Sequence, residues 1–368
     1  MHRTARVLAV VALATTLLAA TAPAGGGTPE RVPRALKVVT IRGGLDNPTA
    51  FTFAPNGRIW YIEKNTGRIY ILNPGTGGRR LFTDITNVSG LGERGGLGIA
   101  LHPDWPSRPF VYVYVTRSSG GRLENQLLRF RSEDDRPAAT KRLFGWGVNS
   151  ATNHNGGRIE FGPDGNLWIV TGENAVPRFS QERANLRGKI LRIRPDGSIP
   201  NSNPFGTRVY ATGIRNSFGM AFDPFTGRLW ETDNGPGCND EINLIRRGGN
   251  FAWGPNQSCG SLTAPRDTNR DGAARILPEE WFVSTIGITG AAFCDRCGLG
   301  GGRHGDLFYG DVNTGRLWSS ELNDARTTIV GAPDQLIALG TVVYSMEVGP
   351  RNRIYFSGPA GIYRLGTT

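Results

Sequence analysis

The sequence is short of several things that enzymes commonly use. Only four of its 42 basic residues are lysines (Lys37, Lys64, Lys141 and Lys189), and it has four histidines, His2, His102, His154 and His304. It has no G-x-S-x-G elbow, no H-E-x-x-H pair and no P-loop, so the hydrolase and nucleotide chemistries tied to those motifs find no support. Gly95-Gly96-Leu97-Gly98 does not open a helical pattern and is not a dinucleotide fingerprint. After residue 24 no run of eighteen apolar residues occurs, so no membrane-spanning helix is predicted. The formal charge is +11, yet no block of five or six like charges marks a basic tail. That even spread predicts a solvated basic surface with no specific nucleic-acid partner, and at most a weak attraction to acidic polysaccharide. The 52 Gly and 23 Pro follow no Gly-X-Y period, which excludes collagen. With 8 Trp and 17 Phe, they point to many short strands around a real core.

Residues 1–24 read as a secretory signal. Arg3 and Arg6 are followed by an apolar stretch from Val7 to Ala20 and a small-residue site at Ala22-Pro23-Ala24. No cysteine lies near the cleavage point, which argues against a lipid anchor. Residues 25–36 read as a flexible leader and 37–368 as the folded unit. The four cysteines, Cys238, Cys259, Cys294 and Cys297, are expected to form disulfides in an exported chain. The preferred pairing is the local one, Cys238–Cys259 with Cys294–Cys297. A four-thiolate zinc site is the rival, weakened by the presence of only one C-x-x-C.

One phrase recurs six times: alternating apolar residues, a turn rich in Pro, Asp, Asn and Gly, then an aromatic-rich strand. The copies fall at residues 50–61, 98–115, 158–169, 219–230, 305–318 and 345–356, the fifth looser than the rest. Period-2 alternation around such turns marks hairpins. A single sheet of this kind cannot bury both faces, but copies stacked radially can. The expected fold is all-β: a six-bladed β-propeller of four-stranded antiparallel blades, with Lys37–Ile41 closing the ring against the last blade. Two β-sandwiches would not explain one phrase recurring at blade spacing.

In propellers, sites lie on the loops at one mouth of the channel, so chemistry is sought outside the repeated phrase. His154 stands in Asn153-His154-Asn155-Gly156-Gly157, where glycines allow close backbone approach and a neutral imidazole can accept a proton. The plainer reading is a turn histidine bonded to backbone. Arg215-Asn216 offers a guanidinium fork beside an amide, or alternatively an inter-blade salt bridge. Asn234-Gly235-Pro236, with Asp240 and Glu241, gathers oxygen ligands of the type calcium takes. Asp267-Thr268-Asn269-Arg270-Asp271-Gly272 opens like a calcium loop, but its twelfth position is Pro278 rather than Glu.

Taken in order, these segments resemble the soluble glucose/sorbosone dehydrogenases. The resemblance is carried by Gly92–Asp104, Asn153–Arg158, Leu186–Ile193, Gly213–Asn216, Asn234–Pro236, Asn239–Asn243 and Gly248–Trp253, and extends from Gly44 to Leu365. It implies a six-bladed propeller that oxidises the anomeric carbon of an aldose, using pyrroloquinoline quinone and Ca2+, and passes electrons to an acceptor. It also implies that His154 is the general base, that Gly235 and Pro236 are carbonyl ligands of calcium, and that Arg215, Asn216, Glu93 and Asn153 lie at the cofactor. The chain departs from the family pattern at five places. Glu93 stands for Gln, Asn153 for Asp, Asn313 for Lys, and Val342 and Tyr344 lie where two Arg are expected. Arg94, Arg158 and Arg303 are candidate replacement cations for the cofactor's carboxylates.

Overall fold

A computed structural model describes residues 35–148, 151–257, 259, 268–300 and 302–368. The expected signal and most of the leader lie outside the described residues. Alternating apolar residues form 24 strands in six four-stranded antiparallel sheets, the expected six blades. The chain opens with β1 (Leu36–Gly43), which is set aside for the last blade. Blade one is β2 (Pro48–Phe53), β3 (Ile59–Glu63), β4 (Arg68–Leu72) and β5 (Arg79–Asp84). Blade two is β6 (Gly96–Leu101), β7 (Phe110–Ser119), β8 (Arg122–Glu133) and β9 (Arg136–Gly147). Blade three is β10 (Gly156–Phe161), β11 (Leu167–Thr171), β12 (Lys189–Ile193) and β13 (Val209–Thr212). Blade four is β14 (Ser217–Phe222), β15 (Leu229–Asp233), β16 (Asp240–Leu244) and β17 (Glu280–Phe282). Blade five is β18 (Ile288–Phe293), β19 (Leu307–Asp311), β20 (Arg316–Leu322) and β21 (Ile329–Ala338). Blade six is β22 (Ser345–Val348), β23 (Ile354–Gly358) and β24 (Gly361–Thr367), and β1 pairs antiparallel with β24 to complete it.

The core lies between blades. Trp60, Ile62 and Ile71 of blade one pack with Ile99, Val111 and Val113 of blade two, all essentially buried. Inner strands approach very closely near the channel. A Cβ at Gly98 would collide with the Gly157 carbonyl, and one at Gly219 with the Thr289 carbonyl, so only glycine allows this spacing. Five of the six inner strands also shift register near their starts, for example between Gly96 and Gly98 and between Gly156 and Ile159. These bulges turn the preceding loops over one mouth of the channel.

The fifth copy of the phrase is displaced by one strand. Its Asn313-Thr314-Gly315 turn joins β19 to β20, the second and third strands of the blade, whereas the other copies join the first to the second. The inner strand β18 precedes the phrase, and the β18–β19 connection instead carries Cys294–Cys297. Both disulfides have the expected pairing, Cys238–Cys259 and Cys294–Cys297.

Candidate active site

Three inter-blade loops, β5–β6, β9–β10 and β13–β14, meet at the bulged mouth with the β11–β12 loop of blade three, and His154 lies among them. Its backbone is left-handed (φ 58°), a conformation histidine tolerates better than most residues. Three contacts hold it there. The His154 N–H donates to Glu93 Oε2 at 2.6 Å, and its carbonyl accepts from Asn174 N (2.9 Å) and Asn174 Nδ2 (3.0 Å). The ring Nδ1 lies 2.6 Å from Glu173 Oε1. Glu173 is 1% exposed, and its other oxygen accepts from Val176 N at 2.6 Å. A carboxylate on Nδ1 places the ring proton there and leaves the Nε2 lone pair free to accept a proton. Nε2 has no partner among the described residues.

Glu173 was not among the residues read from the sequence. A signal was nevertheless present: Thr171 pairs with Gly156 across the blade-three hairpin, so Thr171-Gly172-Glu173 must end beside His154. Lys64 was missed too. Its Nζ donates to the Gly90 carbonyl (2.7 Å), and burial lowers its pKa while the nearby Glu93 charge raises it.

Glu93 joins three blades, since the oxygen that holds His154 also accepts from Asn216 Nδ2 at 3.1 Å. The Arg215 and Asn216 backbone N–H groups both donate to Asp233, at 2.7 and 2.6 Å. Burial pushes the Asp233 carboxyl up to about 6, and those two N–H donors oppose the rise. Arg215 makes no inter-blade salt bridge among the described residues. Its Nη1 donates to the Asn234 carbonyl (2.7 Å), and its guanidinium lies 5.1 Å from the Trp253 ring centre. Asn153 is half-buried next to His154.

The expected metal residues divide into two groups. Gly235, Pro236, Glu241 and Asn269 line one small cavity together with Arg215, Asp233 and Trp253. Among the described residues, neither the Gly235 nor the Pro236 carbonyl accepts a hydrogen bond. Asp240 plays another part: its carboxylate accepts from the N–H groups of Gly235, Ile286, Gly287 and Ile288 and ties two loops together. Within the D-x-N-x-D-G segment, the described side chains Asn269 and Asp271 bond different partners. Asn269 Nδ2 donates to Glu241 at 2.7 Å, whereas Asp271 holds Asn256 through two bonds. Asp267 lies outside the described residues.

The replacement cations divide similarly. Arg94 reaches the Ala151 carbonyl at the mouth (2.6 Å). Arg158 instead faces Glu347 in the channel, at 3.6 Å, and Arg303 belongs to the β18–β19 connection at the far end. Asn313, Val342 and Tyr344 are on mouth-side connections, where Tyr344 donates to Asn47 at 3.2 Å.

A family model described as Glucose / Sorbosone dehydrogenase matches residues 45–360, most of the chain. The chain belongs to the glucose/sorbosone dehydrogenase family. Relatives include the aldose sugar dehydrogenase YliI of Escherichia coli K12, 32% identical over 231 residues (60% of this chain, 62% of that protein). Quinoprotein glucose dehydrogenase B of Acinetobacter calcoaceticus is 31% identical over 247 residues, 58% of this chain but only 51% of the relative's length. The mouse hedgehog-interacting protein is 27% identical over 234 residues (54% of this chain, 33% of that protein). Among solved structures, the PQQ-bound aldose sugar dehydrogenase of Streptomyces coelicolor superposes with a TM-score of 0.77 at 28% identity, covering 92% of this chain and all of that one.

The residues at the mouth fit a quinone with a divalent ion. Free carbonyls next to buried carboxylates form the all-oxygen set a hard cation takes. Arg215 Nε and Asn216 Oδ1 are buried and make no hydrogen bond among the described residues. Lys64, Arg94 and Arg215 place positive charge on the mouth-side loops, where each donates to a backbone carbonyl.

Proposed function

We propose that this chain is an exported sugar dehydrogenase that oxidises the anomeric carbon of aldoses to lactones with pyrroloquinoline quinone and Ca2+. The observation that carries the reading is the His154–Glu173 pair, whose histidine shares Glu93 with Asn216 at the same mouth where Arg215, Gly235 and Pro236 line a small cavity. In that role His154 Nε2 accepts the proton of the anomeric hydroxyl, and Glu173 keeps Nδ1 protonated and steadies the imidazolium that forms. Glu93 and Asn174 hold the histidine backbone, so the base is positioned before substrate arrives. The quinone, when bound with calcium, supplies the acceptor for the hydride leaving the same carbon. Arg215 and Asn216 would contact the cofactor; Gly235, Pro236 and Glu241 would bind the ion, and Asn269 would line its cavity.

The test is titration of purified protein with quinone and calcium, followed by aldose assays with an artificial electron acceptor. No binding at micromolar quinone overturns the reading. A second reading, a ring of this lineage that binds a glycan or protein without cofactor, draws on Asn313, Val342 and Tyr344 standing where cations are expected. The relative named hedgehog-interacting protein adds to it. Export is checked separately, by N-terminal sequencing of the mature protein for cleavage after Ala24.

A further inference from the structure

A second concavity lies at the opposite end of the ring, at the junction of blades six and one. It is an open groove of about 830 Å³ lined by Lys37, Arg58, Arg351, Arg353 and Arg364, with no carboxylate in its lining. Arg58 is bound bidentately to Asp135, at 2.5 and 3.0 Å. The other four cations have no carboxylate partner among the described residues. The Arg353 guanidinium donates to the Cys297 carbonyl, at 2.8 Å. Asn56 and Asn73, also in the lining, bind their side-chain carbonyl oxygens to local backbone N–H groups, which leaves amide N–H donors. The groove therefore offers positive charge and donors, a surface suited to anions.

The backbone gives a separate indication. In the first and third copies of the repeated turn, one residue is left-handed and it is glycine, Gly57 (φ 80°) and Gly165 (φ 71°). In the sixth copy, two consecutive residues are left-handed and neither is glycine: Arg351 (φ 61°) and Asn352 (φ 57°). The counterpart of Arg351 in the first copy, Asn56, is not left-handed. An arginine side chain gains nothing locally from this strained position, and it stands at the lip of the cationic groove.

We infer that this groove binds acidic polysaccharide, a chain bearing uronate carboxylates or sulfate esters. Its open form admits a polymer. The cations run from the outer edge of blade six, at Lys37 and Arg364, across the Arg351 turn to blade one, matching spaced charges rather than one compact anion. Single-stranded nucleic acid fits less well, because the only aromatic ring in the lining, Tyr355, is 8% exposed and packs on Phe53. The inference stands independently of the dehydrogenase reading.

The experiment measures binding of fluorescently labelled polygalacturonate and dextran sulfate to the full chain at low and at physiological salt. Neutral dextran and oligothymidylate are the comparisons. Binding to at least one acidic polymer, weakened by salt and absent with dextran, is expected. The triple variant Lys37→Gln/Arg351→Gly/Arg364→Gln should lose about tenfold or more in affinity. The control Arg122→Gln/Arg136→Gln/Lys141→Gln removes equal charge from the exposed edge of blade two and should change affinity less than threefold. Arg351→Gly alone should weaken binding while holding or raising the melting temperature, because it relieves the strained turn. Equal losses in the two triple variants, or oligothymidylate binding as tightly as the acidic glycans, would overturn the proposal.

Discussion

The two ends of the ring use the same strands for opposite purposes. At the His154 end, bulged strands and glycine contacts bring acids together: half-buried Glu93 and buried Glu173 and Asp233 hold the His154 imidazole and the backbone N–H groups of His154, Arg215 and Asn216 in place. At the other end, Lys37, Arg351, Arg353 and Arg364 border an open groove with no carboxylate in its lining, and of its cations only Arg58 is paired with an acid among the described residues. Burying charge costs free energy unless it is paired, so the first end is built for a fixed geometry and the second for loose electrostatic contact. The first end should therefore respond sharply to single-atom changes, and the second only to changes in charge.

The contrast would fail first at His154. His154→Ala is expected to lower aldose turnover by at least 10³-fold while leaving quinone affinity within a few-fold, read by steady-state assay and quinone titration. Glu173→Gln should cost less, and it should displace the acid limb of the pH–rate profile, which a purely structural glutamate would not do. Unchanged turnover in His154→Ala removes the base. The next largest effect concerns the loop that holds Gly235 and Pro236. Reducing Cys238–Cys259, or replacing both cysteines with serine, should cost about 2–4 kcal/mol of stability by denaturant titration. Calcium affinity should fall with it.

A third prediction lies midway along the channel, where Glu160 and Glu347 come together beside Arg158. Burial, reinforced by the Glu347 charge, pushes Glu160 up to about 8, and burial pushes Glu347 up to about 7; Arg158 opposes both. The folded protein thus holds protons that the unfolded chain releases above its ordinary glutamate range, so this pair destabilises increasingly as pH rises from about 5 to 8. Glu160→Gln should therefore add about 1–2 kcal/mol at pH 9 and almost nothing at pH 5. A gain equal at both pH values would show that charge is not its source. The smallest effect is expected from Glu93→Gln. The amide oxygen can still accept from His154 and Asn216, but the removed charge should tighten binding of an acidic cofactor by about three- to tenfold.

The repeated phrase made the blade count legible in the sequence, because a hairpin's period and its turn residues are local properties. The fifth blade shows where that legibility ends. A Thr-Gly turn fits either of two connections, and only the pairing partners of Leu307–Asp311 tell which. His154, Arg215 and Asn216 were readable as polar loop residues ahead of inner strands. Glu173 required the pairing of Thr171 with Gly156; Glu93 was readable through the family resemblance, but its bonds to His154 and Asn216 required the meeting of three blades. The calcium-loop spacing at Asn269 and Asp271 says nothing of their partners: a spacing rule assumes a loop closing on itself, and here the two side chains bond different neighbours, Glu241 and Asn256.

The pairing of β1 with β24 bears on how the chain is made. β1 must wait for β24, so the ring cannot close until Gly361–Thr367 has been made. Until then one edge of blade six stays open, and the loss of β24 would leave a gap in the circle rather than a shortened end.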